Sequence, residues 1–369
     1  MINGRSGTMS IEALKKRIKK VRRQLADKGL NGLVVTAEPN VKYITGFSGA
    51  DSWAVITHNS IYLVTDSRYS EQAKKQCQLC RIILRTASMT EAVGKILKKL
   101  KSAKIIAVEG TCSISLYRKL KKDTGAKLKA ATGIIEELRS IKDTNEAASI
   151  KKAASAASES LAEFLGSLKP GITENEAAGR LDFQLRKAGV VNSFDTIVAF
   201  GPNAANPHHI PSRKKLKTSD TILIDFGARY KNYCSDITRC FTLGRVSRFY
   251  KKVYDVVLHA QSAAIELIRD GAQITDIDAA AREVIKTQDL PVYEHGTGHG
   301  LGLEVHELPV VSNKSKGKLK AGQIITIEPG VYFPGRFGIR IEDDILVTKT
   351  GCTILSNTNL KAIQKIAIK

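Results

Sequence analysis

Four acidic side chains stand where acids are costly. Asp225 closes the apolar run Thr221-Ile-Leu-Ile, and Glu328 closes the run Ile324-Ile-Thr-Ile327. Asp236 starts a strand after the turn-rich link Lys231-Asn-Tyr-Cys-Ser235, so a hairpin could carry it to Asp225. Glu342 lies within Gly338-Ile-Arg-Ile-Glu-Asp-Asp-Ile-Leu-Val347. A carboxylate that follows apolar strand residues is unfavourable unless it is paired, hydrogen-bonded or bound to a cation. Arg239 and Arg340 are close in sequence, yet one or two guanidinium groups cannot neutralise four carboxylates, whereas divalent metal can.

Five of the seven histidines fall in two stretches, Pro207-His208-His209-Ile-Pro211 and His295-Gly-Thr-Gly-His299-Gly-Leu-Gly-Leu-Glu-Val-His306. Gly296, Gly298, Gly300 and Gly302 permit unusual dihedrals and close backbone approach, which predicts a loop shaped around a ligand rather than a plain strand. Mixed carboxylate and imidazole ligation suits manganese, cobalt, iron or zinc, and the excess of carboxylate puts manganese first. Taken singly, each acid also reads as a turn or salt-bridge residue; together with His299 they read as one metal centre. Asp343 and Asp344 are expected to be hydrogen-bond acceptors, Tyr332 to be pocket lining or core, and His58 and His259 to be structural or surface residues.

Elements that could position these residues follow from periodicity. The stretch Ile11 to Gly29 repeats Leu14, Ile18, Val21 and Leu25 at helical spacing, and Gly29 is placed to end that helix. A buried strand follows at Gly32–Thr36, then a hairpin of Ser52–Thr57 and Ser60–Thr65, and a further strand at Ile105–Val108. These alternating elements predict an α/β domain over 11–138. An Ala- and Ser-rich helix from Asn145 to Gly166 opens a second, larger domain over 145–369.

That second domain contains an echo. Ile172-Thr-Glu-Asn-Glu-Ala-Ala-Gly-Arg180 recurs as Ile274-Thr-Asp-Ile-Asp-Ala-Ala-Ala-Arg282, and both look like helix starts capped by Thr173 with Glu176 and by Thr275 with Asp278. Further on, Lys215-Leu-Lys-Thr-Ser-Asp-Thr-Ile-Leu-Ile-Asp-Phe-Gly227 matches Lys318-Leu-Lys-Ala-Gly-Gln-Ile-Ile-Thr-Ile-Glu-Pro-Gly330. A duplicated half-domain is implied, with Asp225 and Glu328 in equivalent places.

Composition narrows the class. The 369 residues, 43% apolar and 25% charged, are ordinary globular usage for two domains. A net charge of +22 raises an anionic partner, but the lysines lie in scattered helical stretches such as Lys15–Arg23, Lys95–Lys104 and Arg118–Lys122, without interleaved aromatics. No specific nucleic acid is expected. Met1 to Ser10 lacks an apolar core of signal-peptide length, and no stretch approaches the roughly 20 apolar residues of a membrane span, so no membrane partner and a cytoplasmic location are expected. Cys77 and Cys80 have C-x-x-C spacing without a second pair, and all six cysteines are expected to be reduced.

The order Asp225, Asp236, His299, Glu328 and Glu342, within Gly-Thr-Gly-His-Gly-Leu-Gly-Leu-Glu-Val-His, Glu-Pro-Gly-Val-Tyr and Ile-Arg-Ile-Glu-Asp-Asp, resembles the M24 metallopeptidases. The Xaa-Pro aminopeptidase and Xaa-Pro dipeptidase (prolidase) branch is the match. Asn40-Val-Lys-Tyr-Ile-Thr-Gly-Phe47 is similar to the creatinase-type N-terminal domain.

The resemblance implies an α+β chain: a C-terminal pita-bread fold, with duplicated α/β half-domains around a curved antiparallel sheet, and a smaller α/β N-terminal domain. It implies that Asp236 and Glu342 bridge two divalent metal ions, that Asp225 chelates one, and that His299 and Glu328 complete the other. Thr238 and Arg340 would orient the bridging carboxylates, while His208, His295 and His306 would line the pocket. Only the resemblance selects His208 over His209. Two-metal chemistry would activate a shared water, with Glu328 moving the proton and His306 and His208 binding the oxyanion or peptide flanks. The expected activity is an aminopeptidase that cleaves the N-terminal Xaa-Pro bond of short peptides with proline in second position, in a homodimer. A prolidase restricted to dipeptides is the alternative enzyme, and a peptide- or nucleic-acid-binding protein on the same fold is the non-enzymatic alternative.

Overall fold

The computed structural model describes residues 10–99, 104–245, 247–356 and 364–365. Two compact units are present, one ending at Arg139 and the other starting at Ser140. In the first, α1 (Ile11–Asp27) buries Leu14, Ile18, Val21 and Leu25 along one face, and Ser10 caps it by accepting from the Ala13 amide. Then follow β1 (Gly32–Val35), α2 (Glu38–Thr45), β2 (Trp53–Thr57), β3 (Ile61–Thr65), α3 (Ser70–Gln76), β4 (Arg81–Leu84) and α4 (Met89–Lys99). Positions 100–103 of the lysine-rich stretch lie outside the described residues. β5 (Ile105–Glu109), α5 (Ile114–Thr124), β6 (Lys127–Ala131) and α6 (Glu136–Ser140) complete the series. The strands form one mixed sheet, ordered β4-β3-β2-β1-β5-β6, in which β2 and β3 pair antiparallel as the expected hairpin.

The second unit opens with α7 (Thr144–Leu165), closed at its start by a reciprocal cap between Asp143 and Glu146. Its first half continues with α8 (Glu174–Lys187), β7 (Val191–Asn192), β8 (Ile197–Phe200), β9 (Thr221–Phe226), β10 (Ala228–Tyr230), β11 (Tyr233–Cys234) and β12 (Ile237–Thr242). The second half contains α9 (Arg248–Glu266), α10 (Ile274–Lys286), β13 (Gly298–Gly300), β14 (Glu307–Val311), β15 (Ile324–Ile327), β16 (Gly330–Phe333), β17 (Phe337–Arg340), β18 (Asp343–Val347), β19 (Cys352–Ile354) and β20 (Gln364–Lys365). Its two larger sheets run β20-β12-β9-β8 and β14-β13-β15-β18-β19, beside the smaller β11-β10-β7 and β16-β17; among the described residues of the unit every strand pair is antiparallel except β12 with β20. This is the α+β architecture expected from the sequence.

Strand alternation sorts the two faces of these sheets. On β9, Ile222, Ile224 and Phe226 join the core beneath α7 and α8, with Leu161, Phe164, Leu181 and Leu185. Asp225 therefore points to the opposite face. On β15, Ile325 and Ile327 enter the core with Val257, Ile277 and Ile285 of α9 and α10, which turns Thr326 and then Glu328 away from the helices. The same rule turns Arg340 and Glu342 away from Ile339 and Ile341.

The duplication is present, but two residues out of register with the echo in its helices. The turn before each helix is closed by matching bonds: Gly171 N–H to Leu216 O and Gly271 N–H to Leu319 O, both 2.9 Å, with return bonds of 2.8 Å from Leu216 to Ile172 and from Leu319 to Ala272. Thr173 bridges to Lys215 as Gln273 bridges to Lys318. Gln273, not Thr275, is thus the N-cap of α10, and no side chain caps it. The expected Thr275–Asp278 cap does not form, because this register puts Asp278 on the buried face of the helix, where Ala178 lies in α8.

Two further expectations are refined, and the pairing expected to carry Asp236 toward Asp225 forms between β9 and β12. The glycine-rich stretch is a loop on either side of one short strand, where a loop alone was expected: Gly298–Gly300 pairs between β14 and β15, with a bulge at His299/Gly300. Its glycines are required by close approach and not by dihedral. A Cβ on Gly298 would lie 1.9 Å from Thr326 O, and one on Gly300 2.1 Å from Leu308 O. The link before Asp236 folds on itself as a β10–β11 hairpin, with Lys231 at φ 48° and Asn232 at φ 72°, the left-handed pair of a type I′ turn.

Candidate metal centre

Asp225 on β9 faces Thr238 on β12, and Asp236 immediately precedes β12. Glu342 does not lie inside one long strand as its sequence suggests. The chain changes partners there, from the β16–β17 pair to the five-stranded sheet, leaving Glu342 at the break with its amide bonded to Thr238 O at 3.2 Å. Glu328 occupies the corresponding break between β15 and β16 and donates its amide to Thr297 O at 2.8 Å. His299 is the central residue of β13, its amide bonded to Thr326 Oγ1 at 3.1 Å.

Asp236, His299 and Glu342 each present a donor atom within 4.8 Å of the other two, so these three could hold a metal ion. His299 Nδ1 faces Gly300 O at 3.1 Å, which assigns its proton there and leaves the Nε2 lone pair toward the acids. Nε2 lies 3.4 Å from Glu328 Oε1 and 3.6 Å from Asp236 Oδ2, too far for charge-assisted hydrogen bonds. Burial, helped by His306, pushes the His299 imidazole down to about 4, so near neutral pH the ring is uncharged and its Nε2 could take a cation.

The carboxylates repel one another. Burial first, then Glu342, Asp225, Glu328 and Asp344, drives Asp236 well above the usual carboxylate range. Glu342 is driven up by burial, Glu328 and Asp225. Burial pushes Glu328 up to about 7, with Asp225 adding to the rise and Arg340 opposing it. Oδ1 of Asp225 and Oδ1 of Asp236 are buried without a hydrogen-bond partner. Unpartnered carboxylate oxygens beside a neutral imidazole are a donor set that fits a divalent cation.

Neighbouring groups orient the donors. Arg340 Nη2 donates to Asp225 Oδ2 at 2.6 Å, and Arg340 Nε donates to Thr238 Oγ1 at 3.1 Å. Thr238 in turn donates to Glu342 Oε2 at 2.6 Å. Asp344 accepts the Asp236 amide at 3.2 Å, and Asp343 binds Arg239 Nη2 at 2.7 Å, so both act as acceptors. Tyr332 is half-buried, its hydroxyl accepting from Arg340 Nη1 at 3.0 Å and meeting His295 Nε2 at 3.0 Å. His295 Nδ1 lies 2.8 Å from Gly296 O, so the neutral ring donates there and accepts from Tyr332 at Nε2. Burial pushes its imidazole down to about 4.

His306 is exposed and meets the His299 ring edge-on at 4.4 Å. His208 is also exposed. Its neighbour His209 is instead engaged by the buried Glu174 carboxylate at 2.8 Å.

Three groups near the site have no local sequence signal. Glu174 accepts from Phe200 N, Asn203 Nδ2 and both the amide and hydroxyl of Ser212, and so fastens the segment that carries His208. Asp278 and Arg282 fasten the segment that carries His295. Lys142 pairs with Glu307 at 3.2 Å with both side chains buried, next to His306. Glu174 reads in sequence as an ordinary first-turn acid, and the other partners are far apart in the chain. Asp278 alone carries a hint, since it falls at helical spacing among Ile274, Ile277, Ala281 and Ile285 on the buried face of α10.

A model of metallopeptidase family M24 matches residues 148–349, and a model of the creatinase/prolidase N-terminal domain matches residues 17–141. An Xaa-Pro dipeptidase of Pyrococcus horikoshii is 32% identical over 357 residues, covering 96% of this chain and 100% of that one. Among solved structures, an Xaa-Pro dipeptidase from Bacillus anthracis superposes with a TM-score of 0.92 at 35% identity, covering 96% of this chain and 100% of that one. An X-Pro aminopeptidase from Thermotoga maritima does so with a TM-score of 0.84 at 34% identity, covering 92% and 97%. No helix among the described residues is long and apolar enough to cross a membrane.

Proposed function

This chain belongs to metallopeptidase family M24, and from that premise we propose that it is an aminopeptidase cleaving the N-terminal Xaa-Pro bond of short peptides. The observation that carries the reading is the face shared by Asp225, Asp236, His299, Glu328 and Glu342, with two carboxylate oxygens left without partners. In this reading Asp236 and Glu342 would serve two divalent ions in common, Asp225 would help hold one, and His299 with Glu328 would help hold the other. The carboxylate-rich donor set favours manganese, with cobalt, zinc or iron as alternatives. When bound, the ions would acidify a water and polarise the scissile carbonyl.

The chain's own side chains do the rest. Glu328 takes the proton of the attacking water at its carboxylate and returns it to the departing proline nitrogen, which carries no hydrogen of its own in the peptide. His306 and His208 hydrogen-bond the carbonyl oxygen as it gains charge and the flanking peptide. His295 lines the pocket with its ring, since Gly296 and Tyr332 occupy both its nitrogens. Arg340 and Thr238 hold Asp225 and Glu342 in place.

Similarity to an X-Pro aminopeptidase supports this reading. Similarity to Xaa-Pro dipeptidases favours the second reading, a prolidase. Homodimeric assembly and a cytoplasmic location belong to the same proposal. Metal-reconstituted protein assayed on Xaa-Pro dipeptides and on longer Xaa-Pro peptides, across manganese, cobalt, zinc and iron, separates the readings. Cleavage of both lengths is expected. Cleavage of dipeptides alone means a prolidase, and cleavage of neither returns the binding-protein alternative.

A further inference from the structure

We propose that Arg282 is a positioning residue for the substrate pocket: it holds the 293–297 segment, and with it the His295 ring, in the shape that binds peptide. The inference rests on the reading above in which His295 lines that pocket. Arg282 lies on α10, well away from the five carboxylate and imidazole donors in sequence, and uses its fork on two sides at once. Toward its own helix, Nε donates to Asp278 Oδ2 at 2.7 Å and Nη2 to Asp278 Oδ1 at 3.1 Å. Toward the pocket, Nη1 donates to Tyr293 O at 2.6 Å and Nη2 to His295 O at 2.7 Å.

Side chains repeat what the backbone bonds do. The Arg282 guanidinium carbon lies 4.4 Å from the centre of the Tyr293 ring, and that ring stacks on His295 with centroids 4.8 Å apart. Asp278 is fully buried and also accepts from Thr297 Oγ1 at 2.6 Å, which itself meets Tyr293 Oη at 2.6 Å. One helical turn therefore fixes both ends of the segment and the ring between them. A planar fork with several fixed donors can serve a carboxylate and two carbonyls together; a lysine, a single charge on a flexible stem, cannot.

The metal donors are oriented by other groups. Asp225 is held by Arg340, Glu342 by Thr238, and His299 by Gly300 and Thr326. The segment is linked to them through the Glu328 amide, bonded to Thr297 O at 2.8 Å, and through the His295 ring, which meets the Tyr332 hydroxyl that Arg340 also binds. Metal content is therefore measured in the test.

The test is a double-mutant cycle with Arg282→Lys, His295→Ala and the pair combined, each reconstituted with manganese and assayed on one Xaa-Pro peptide. Arg282→Lys is expected to raise KM about tenfold, with kcat within about twofold of wild type and unchanged manganese content. In the His295→Ala background that increase should vanish, because the group through which Arg282 acts is gone. Asp278→Asn loosens the same clamp from the other side and gives the same comparison if Arg282→Lys does not fold. An unchanged KM in Arg282→Lys, an equal rise in the His295→Ala background, or a joint fall of kcat and manganese content overturns the inference. If His295→Ala raises KM while Arg282→Lys is silent, the inference alone fails. If His295→Ala leaves KM untouched, the pocket reading of His295 fails and takes the inference with it.

Discussion

The guanidinium of Arg340 lies 2.6 Å from Oδ2 of Asp225. The other oxygen of that carboxylate is buried without a partner, so Arg340 fixes the carboxylate and leaves one oxygen to point into the centre. The same side chain reaches Thr238 and Tyr332, tying a carboxylate, a hydroxyl and a phenol to one charge. Arg340→Lys keeps the charge and loses the fork. We expect a 10- to 100-fold, order-of-magnitude loss of kcat/KM at saturating metal, about what an outer-shell orienting group contributes. Steady-state kinetics on an Xaa-Pro peptide checks this, and wild-type activity would refute it.

Without metal, the centre makes stability depend on pH. Burial and mutual repulsion raise Asp236, Glu342 and Glu328 in the fold, Glu328 to about 7. A carboxyl whose folded pKa exceeds its unfolded value binds its proton more tightly in the fold. Its contribution is full below the unfolded value and is lost as pH rises through the folded one. Chelator-treated protein should therefore melt lower at about pH 8.5 than at about pH 7, a window above the range in which His295 and His299, pushed down to about 4, act in the opposite sense, and saturating manganese should narrow the gap. A melting temperature independent of pH in the stripped protein would contradict this.

Gly298 has no room for a side chain, since a Cβ there would meet the Thr326 carbonyl oxygen at 1.9 Å. The obstacle is backbone of the neighbouring strand, which also precedes Glu328. Gly298→Ala should cost about 3 kcal/mol of stability, at the upper end for overpacking, and displace His299. Denaturant unfolding measures the first and manganese affinity the second; a neutral substitution would show that the strands can part freely.

Lys142 and Glu307 form a buried pair. Lys142→Met removes the positive partner of a buried carboxylate that keeps its bond from the Glu304 amide, which should destabilise the protein by about 3 kcal/mol. Lys142→Met with Glu307→Gln should recover part of that loss. Equal stability of the single and double variants would deny the pair its role.

What could be read from the chain was whatever repeats locally. The Leu14, Ile18, Val21 and Leu25 face of α1 and the β2–β3 hairpin follow from short-range spacing, and acids closing apolar runs marked Asp225 and Glu328. Features decided by distant partners were misread or silent. Thr275 looks like a cap until the Gln273–Lys318 bridge sets the helix start two residues earlier. Glycines read as a loop because nothing nearby reveals the carbonyls of Thr326 and Leu308 lying against them. Glu174 and Asp278 look like solvated first-turn acids, and only the folded chain brings Ser212 to one and Thr297 to the other.

The central claim is that the acids gathered around Asp236 are held by divalent ions that make the chain a peptidase. Its most direct test is metal-stripped protein titrated with manganese and assayed on an Xaa-Pro peptide, beside Asp236→Ala. About two ions per chain with turnover are expected in the wild type, and loss of both in the variant. Wild-type protein that takes up no divalent transition metal, or an alanine variant that turns over peptide as fast as wild type, would contradict it.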